Sequence, residues 1–335
     1  MDLQSAKAVV RRYYDSLKQA TPDSIEGIIA AATVEPYRWR GMHPFHELTG
    51  AAAVAETFWK PFLAAFRHVQ RREDVFMAGL NEIDGYQSTW VCSMGHLMGL
   101  FDGPWLGIRP HRRMAFLRYA EFHRVEGDKI VETAFFFDIL HVMQQVGLNP
   151  LPPQTGAHMV QPGPMTHDGL LTGPQDPEEG RATLALINKM IGDLGQRGAF
   201  PSPQEELRRC WHEDMIWWGP AGIGATYTID RYIDQHVMPF RNGLKDRIFN
   251  GHLCRFAESR FGGFFGWPNL TLTPTGGYLG VTTSGGQADM RVVDIYRREG
   301  DKLAENWIFI DILHFLAMQG LDVLARMKEV SGDPG

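Results

Sequence analysis

Glu126-Gly-Asp-Lys-Ile-Val-Glu-Thr-Ala-Phe-Phe-Phe-Asp138-Ile-Leu-His141 returns 173 residues further on as Glu299-Gly-Asp-Lys-Leu-Ala-Glu-Asn-Trp-Ile-Phe-Ile-Asp311-Ile-Leu-His314. Between Val125–Leu148 and Arg298–Leu321, twelve of twenty-four positions are identical without a gap. Chance patterning of apolar residues does not produce that, so the chain is a tandem duplication. The echo continues upstream, where Pro61-Phe62 after an apolar helical stretch matches Pro239-Phe240, and the opening helices near Val9 and Leu184 correspond. We therefore read a first domain over 1–148 and a second over 181–328. Between them, Asn149 to Gly180 holds seven prolines and five glycines in thirty-two residues, with no apolar period of either kind. This stretch reads as a linker.

Each copy changes its periodicity in the same order. Ala6–Ala20, Ile25–Ala32 and Ala51–Phe66 carry helical spacing, the last with Val54, Phe58, Phe62 and Phe66 on one stripe, while Val34–Arg40 alternates. Strand patterns follow at Asp74–Asn81, Thr89–Gly99, Met114–Val125 and Lys129–Phe137, with Glu126-Gly-Asp as a tight hairpin turn. A short helix with Ile139, Met143 and Val146 spaced to dock on the sheet closes the copy, and Gly147 ends it. Helices first and then a meander mark α+β rather than a doubly wound sheet. The expectation is two tandem cone-shaped α+β barrels, each with N-terminal helices, a curved antiparallel sheet and an apolar hollow suited to a small molecule.

The whole chain of 335 residues is 44% hydrophobic and 21% charged, with a formal net charge of -6 and a pI near 6.1. Its basic residues form no block longer than a pair, so the electrostatic footprint of nucleic-acid binding is missing. Cys92, Cys210 and Cys254 are far apart and form no C-x-x-C pair, which suits buried thiols in a reducing compartment. Met1 to Ala20 reads as an amphipathic helix rather than a signal peptide, and the apolar runs Phe135–Met143 and Trp307–Met318 fall short of the roughly 20 residues of a bilayer span. The expected setting is cytoplasmic, with neither nucleic acid nor membrane as partner. P-loop, G-x-S-x-G and H-E-x-x-H patterns do not occur, and Gly219-Pro-Ala-Gly222-Ile-Gly224 is not a dinucleotide fingerprint.

Chemistry is sought on the last strand of each copy. Because side chains alternate, Glu132, Ala134, Phe136 and Asp138 share one face, as do Glu305, Trp307, Phe309 and Asp311. If that face is the inside of the cone, Asp138 and Asp311 are desolvated and their pKa raised, as a general base acting on a carbon acid requires. Equally, each aspartate immediately precedes a helical segment and reads as its N-cap. His141 and His314, one helical turn on, could complete an Asp/His pair, but read better as packed helix residues. His43-x-x-His46-Glu47 has metal-ligand residue types in a proline-containing loop without a third ligand at recognisable spacing, and no metal is expected. Tyr37 and Trp39 share a strand face, and with Trp218 at the corresponding place of the second copy they are candidate pocket wall, against the alternative of plain core packing.

Leu106-Gly-Ile-Arg-Pro110, the strand and turn Arg124-Val-Glu-Gly-Asp-Lys-Ile-Val-Glu132, Asp138 and Gln144-Gln-Val-Gly147 together resemble the SnoaL-like polyketide cyclases of the nuclear-transport-factor-two-like superfamily. The second copy resembles them through Tyr278-Leu-Gly280, Arg297-Arg-Glu-Gly-Asp-Lys-Leu-Ala-Glu305, Trp307 and Asp311. The likeness covers most of both copies and is specific in their last thirds. It implies the cone-shaped barrel, no metal or organic cofactor, and an acidic residue at Asp138 and Asp311 acting as general acid/base, assisted by a histidine, in an intramolecular aldol closure. Ala134 departs from the tryptophan common in the family, whereas Trp307 keeps it. His96 and His123, the candidate assistants, occur in the first copy without obvious counterparts in the second, which favours the first copy as the active one. Expected substrate contacts are Tyr37, Trp39, Phe136, Trp218, Trp307 and Phe309. The expected function is a cofactor-free cyclase acting on a small apolar or poly-carbonyl substrate. Isomerisation or hydration by the same carboxylate, or a silent protein that binds small apolar ligands, are the alternatives. Single cones of this kind pair through their sheets, so an internal pseudo-dimer, and a homodimer of the chain, are expected as well.

Overall fold

A computed structural model describes residues 2–196 and 198–331. The chain forms two compact units, one built from 1–150, 167–174 and the stretch from Asp322 onward, the other from 151–166 and 175–321. Helix Val323–Val330, read from sequence with the second copy, thus belongs to the first unit. The stretch read as linker is divided between the units: Ala157 pairs with Ala225 in the second and Leu170 with Phe76 in the first. Its last residues already belong to a helix, Pro177–Gly195, because Asp176 accepts from the Glu178 N–H and Pro177 takes the first helical position.

In the first unit, helix Leu3–Leu17 starts at Asp2, whose side chain accepts from the Gln4 and Ser5 N–H groups. Ala6, Val9, Val10, Tyr13 and Tyr14 form its buried stripe. The sheet contains β1 (Thr33–Gly41), β2 (His46–Thr49), β3 (Phe66–Leu80), β4 (Thr89–Phe101), β5 (Met114–Glu126) and β6 (Lys129–Phe137), in the order β2-β1-β6-β5-β4-β3. In the second unit, β7 (Trp211–Trp218), β8 (Thr226–Tyr227), β9 (Leu244–Phe249), β10 (Cys254–Glu258), β11 (Phe261–Pro274), β12 (Ala288–Glu299) and β13 (Lys302–Ile310) run β10-β11-β12-β13-β7-β8, with β9 on β11. Both units are α+β with an open, curved sheet. The sheets are mixed rather than purely antiparallel, since β1 pairs parallel with β6 and β7 with β13. The whole meander separates each of these partners in sequence, a connection long enough for a parallel pair.

The identities of the repeat have local causes. Glu126 pairs with Lys129 around a two-residue loop opened by Gly127 at φ 60°, and Gly300 repeats the turn at φ 59°. Gly147 and Gly320 end the closing helices in the left-handed region at φ 83° and 80°. The following Leu148 and Leu321 N–H groups donate back to Met143 and Leu316. At the other end of those helices, Asp138 accepts from the His141 N–H at 2.9 Å and Asp311 from the His314 N–H at 3.2 Å.

The hollow of the first unit is filled. Trp39, Phe45, Phe58, Phe135 and Phe137 pack ring against ring with centroids 5.1 to 6.4 Å apart. Deeper in, Arg71 lies 3.8 Å over the Tyr14 ring, 4.6 Å over Tyr119, and 2.8 Å from the Glu121 carboxylate. Tyr14 donates to Glu121 at 3.0 Å. Burial alone would raise the Glu121 carboxyl, but the charges of Arg71 and His123 and the bonds from His123 and Tyr14 outweigh it and hold the group at about 2. Its stabilisation is therefore complete above the ordinary carboxylate range near 4.5 and is lost as pH falls toward 2.

Replacing Glu121 by Gln should destabilise the chain by about 3 kcal/mol in denaturant unfolding, because Arg71 is left as an uncompensated buried charge. Pairing Glu121→Gln with Arg71→Leu should recover part of that loss. Equal losses in the single and double variants would refute the buried pair.

Candidate functional site

The phase of the last strand decides what faces the hollow. In β6 the inward residues are Thr133, Phe135 and Phe137: Thr133 hydrogen-bonds the interior His123 at 2.8 Å, and the two phenylalanines touch Phe58. In β13 the inward residues are Asn306, Ile308 and Ile310. The set expected inside lies on the opposite face. Glu132 pairs there with Arg40, and Glu305 with Arg297. Trp307 donates through its indole N–H to the Pro162 carbonyl at 2.9 Å, so a segment expected to be linker covers it. The mistaken phase has a physical cause. β6 and β13 are buried nearly throughout on both faces, so their alternation carries no polarity contrast to mark the inside.

Asp138 and Asp311 are helix N-caps. Asp311 also faces Arg291 at 3.4 Å, and Asp138 faces the buried Arg118 of β5, whose charge it helps hold. Neither aspartate is among the residues that line the second unit's cavity. His96 stands opposite Arg118 on the outer face of β4, with Nδ1 3.5 Å from Asp74. His123 is interior and wholly buried, bonded to Tyr14 at 2.9 Å and Thr133 at 2.8 Å. Tyr37 and Trp39 do share the inner face, but inside the filled core. Phe136, Trp307 and Phe309 are buried on the outer face, and so is Trp218, which pairs with Trp307 across the sheet. Its neighbour Trp217 is the counterpart of Trp39 and lines the hollow.

The second unit encloses a cavity of about 630 Å³. Its walls come from helix Pro177–Gly195, the turn Ile233–Val237, β7, β9 and the inner faces of β11, β12 and β13. Several large aromatics of the first unit have smaller or more polar counterparts here: Phe58 becomes His236, Phe135 becomes Ile308 and Phe137 becomes Ile310. The exchanges leave a space where the first unit packs rings.

At the centre of the β12 wall is Asp294, the counterpart of Glu121. Here the arginine is missing from the equivalent contact set: Asp294 accepts from the Asn306 amide at 3.0 Å and from the Tyr296 hydroxyl. Burial pushes its carboxyl up to about 7, with those two bonds only partly opposing the shift. Tyr232 is buried close by, and burial together with the Asp294 charge raises its hydroxyl, keeping it a protonated donor. His236 stacks on Trp217 at 4.1 Å and His252 on Phe264 at 3.8 Å, and burial lowers both imidazoles to about 3, so they are neutral. Arg241 is held by both oxygens of Glu206 at 2.9 Å, and Arg247 donates to the Leu194 carbonyl. The result is a cavity with one carboxyl pushed up to about 7, the neutral groups of Asn306, Tyr296 and Tyr232 around it, and Arg241 already paired with a carboxylate.

Sequence reasoning missed Asp294, Tyr296, Asn306 and His236. The available signal was Val292-Val-Asp294-Ile-Tyr296, a period-two polar pair within an apolar strand, mirrored in the first copy by Glu121 and His123.

No family model and no curated protein matches this chain. Among solved structures, one described as a SnoaL-like polyketide cyclase from Jannaschia sp. CCS1 is 19% identical, with a TM-score of 0.35, over 45% of this chain and 94% of its own. One described as an isomerase from Rhodopseudomonas palustris is 20% identical, with a TM-score of 0.32, over 42% and 96%. A nuclear-transport-factor-two-like protein from Burkholderia xenovorans LB400 is 14% identical, with a TM-score of 0.33, over 42% and 96%. Many of the structure neighbours of this chain are SnoaL-like polyketide cyclases and nuclear-transport-factor-two-like proteins, each covering less than half of it.

Proposed function

We propose that the second unit is an acid/base catalyst of the cyclase or isomerase type, with Asp294 as the proton-transferring group and the first unit as its structural partner. The observation that carries this reading is a solitary carboxyl held near pH 7 in the wall of a largely apolar cavity. A base is most effective when its pKa lies close to the working pH. Ionised Asp294 would take a proton from carbon beside a carbonyl, leaving an enolate and a carboxylic acid. In a cyclisation the enolate carbon would attack a second carbonyl, and the acid would return its proton to the new alkoxide. In an isomerisation it would return the proton at another carbon. Either course leaves the enzyme unchanged. Tyr296 and Asn306 would hold the carboxyl in place, and Tyr232 would supply a neutral donor. A chamber of this volume can hold a flexible poly-carbonyl chain folded, an orienting effect that reaches roughly 7 kcal/mol in favourable cases.

Asp294→Asn should remove turnover while leaving substrate affinity within a few-fold. Asp138→Asn and Asp311→Asn, which keep a capping oxygen, should remain active. In the wild type, kcat/KM should climb about tenfold per pH unit below 7 and level off above it, as the base ionises. A flat profile, or an active Asp294→Asn variant, refutes the assignment. A ligand bound tightly and recovered unchanged from the wild type would instead make the unit a carrier.

The raised pKa has a consequence for stability. Folded protein keeps the Asp294 proton up to about pH 7, whereas the unfolded chain loses it near 4, so stability falls as pH rises through that window. Between pH 5 and pH 8 the wild type should lose about 3 kcal/mol relative to Asp294→Asn, as read by denaturant unfolding at the two pH values. Parallel curves would show that the carboxyl is not desolvated.

A further inference from the structure

The ladder between β11 and β12 is broken at one place. Gly266 pairs with Val292 and Leu270 with Met290, so Trp267, Pro268 and Asn269 stand opposite Arg291 alone. Such bulges re-aim a side chain out of the regular alternation. The equivalent ladder of the first unit, β4 with β5, runs without a shift from Thr89↔Val125 to Leu100↔Met114. The bulge therefore distinguishes the second unit from the first at this ladder.

Asn269 is the residue that the bulge turns into the chamber. Its backbone is pinned, since its carbonyl accepts from the Asn250 N–H at 2.9 Å. Gly266 lets the bulge close, because a Cβ there would lie 2.6 Å from Asn269 Cα and Cβ. Asn269 is 7% exposed, and its side-chain Oδ1 is buried without a hydrogen-bond partner. Turning the amide over would orphan its nitrogen in the same place. A buried carboxamide left unsatisfied by the protein is an anomaly that a ligand would resolve. Beside it on the cavity wall stands His252, whose Nδ1 faces the Arg255 guanidinium at 3.3 Å, so that its remaining proton sits on Nε2.

We infer that Asn269 is a specificity-determining contact, which receives a neutral hydroxyl of the substrate. This rests on the second-unit chamber being the active site. With Arg241 paired to Glu206, Arg247 bonded through Nη1 to the Leu194 carbonyl and both histidines neutral, the chamber suits an uncharged molecule. The substrate class becomes an apolar body with an enolisable carbonyl for Asp294 and a hydroxyl for Asn269.

The test compares 2-naphthol with naphthalene, both uncharged at pH 7, by equilibrium binding to the full chain. Wild type should prefer the hydroxylated probe by about tenfold or more. Asn269→Leu should abolish that preference while binding naphthalene at least as well, and Asn269→Ser, which keeps a hydrogen-bonding group, should restore part of it. Should the leucine not be accommodated, Asn269→Ala carries the same expectation. A wild type without preference, or variants that weaken both probes alike, would overturn the inference. Turnover plays no part in this reading. An inactive enzyme that prefers the naphthol would sink the acid/base assignment and leave Asn269 standing, and an active enzyme without the preference would do the reverse.

Discussion

A carboxylate inside a cone of apolar side chains must either be paired or be pushed toward neutrality, because ionisation without water or a counter-charge is too unfavourable to persist. The two halves of this chain resolve that constraint in opposite ways at the same position. Glu121 meets Arg71, Tyr14 and His123 and is held at about 2. Asp294, one methylene shorter, keeps hydrogen bonds from Asn306 and Tyr296 and rises to about 7.

In the first unit the arginine is sandwiched between Tyr14 and Tyr119, and ring packing around Phe58 occupies the rest of the hollow. Such an interior gains dispersion contacts and gives its buried carboxylate a counter-charge. In the second unit, His236, Ile308 and Ile310 replace rings, and the lost packing becomes volume. A desolvated acid, two neutral imidazoles and an unpartnered carboxamide oxygen are each unfavourable for folding alone. Their concentration around one cavity is what places the proposed function there.

Much of the fold was legible. The repeated Glu-Gly-Asp-Lys is a glycine-opened hairpin, the repeated Gly-Leu ends a helix in the left-handed region, and the repeated aspartates are caps. These are local devices whose identity follows from backbone geometry, so duplication preserves them and they are visible in the sequence. The same fact explains why they misdirected the search for chemistry: the strongest identities of the repeat mark turns and caps, while the residues around the cavity differ between copies. Asp294 answers to Glu121, Tyr296 to His123, Asn306 to Thr133 and His236 to Phe58.

By itself, then, the amino-acid order determined the duplication, the α+β class of each copy, and the turns and caps that join their elements, because each depends on residues within a few positions of one another. Only tertiary structure decided which face of β13 looks inward, that β1 and β7 close parallel on the last strands, and that the first hollow is filled while the second is open. Those outcomes depend on contacts between residues far apart in sequence. A strand buried on both faces carries no polarity pattern from which its inside can be told.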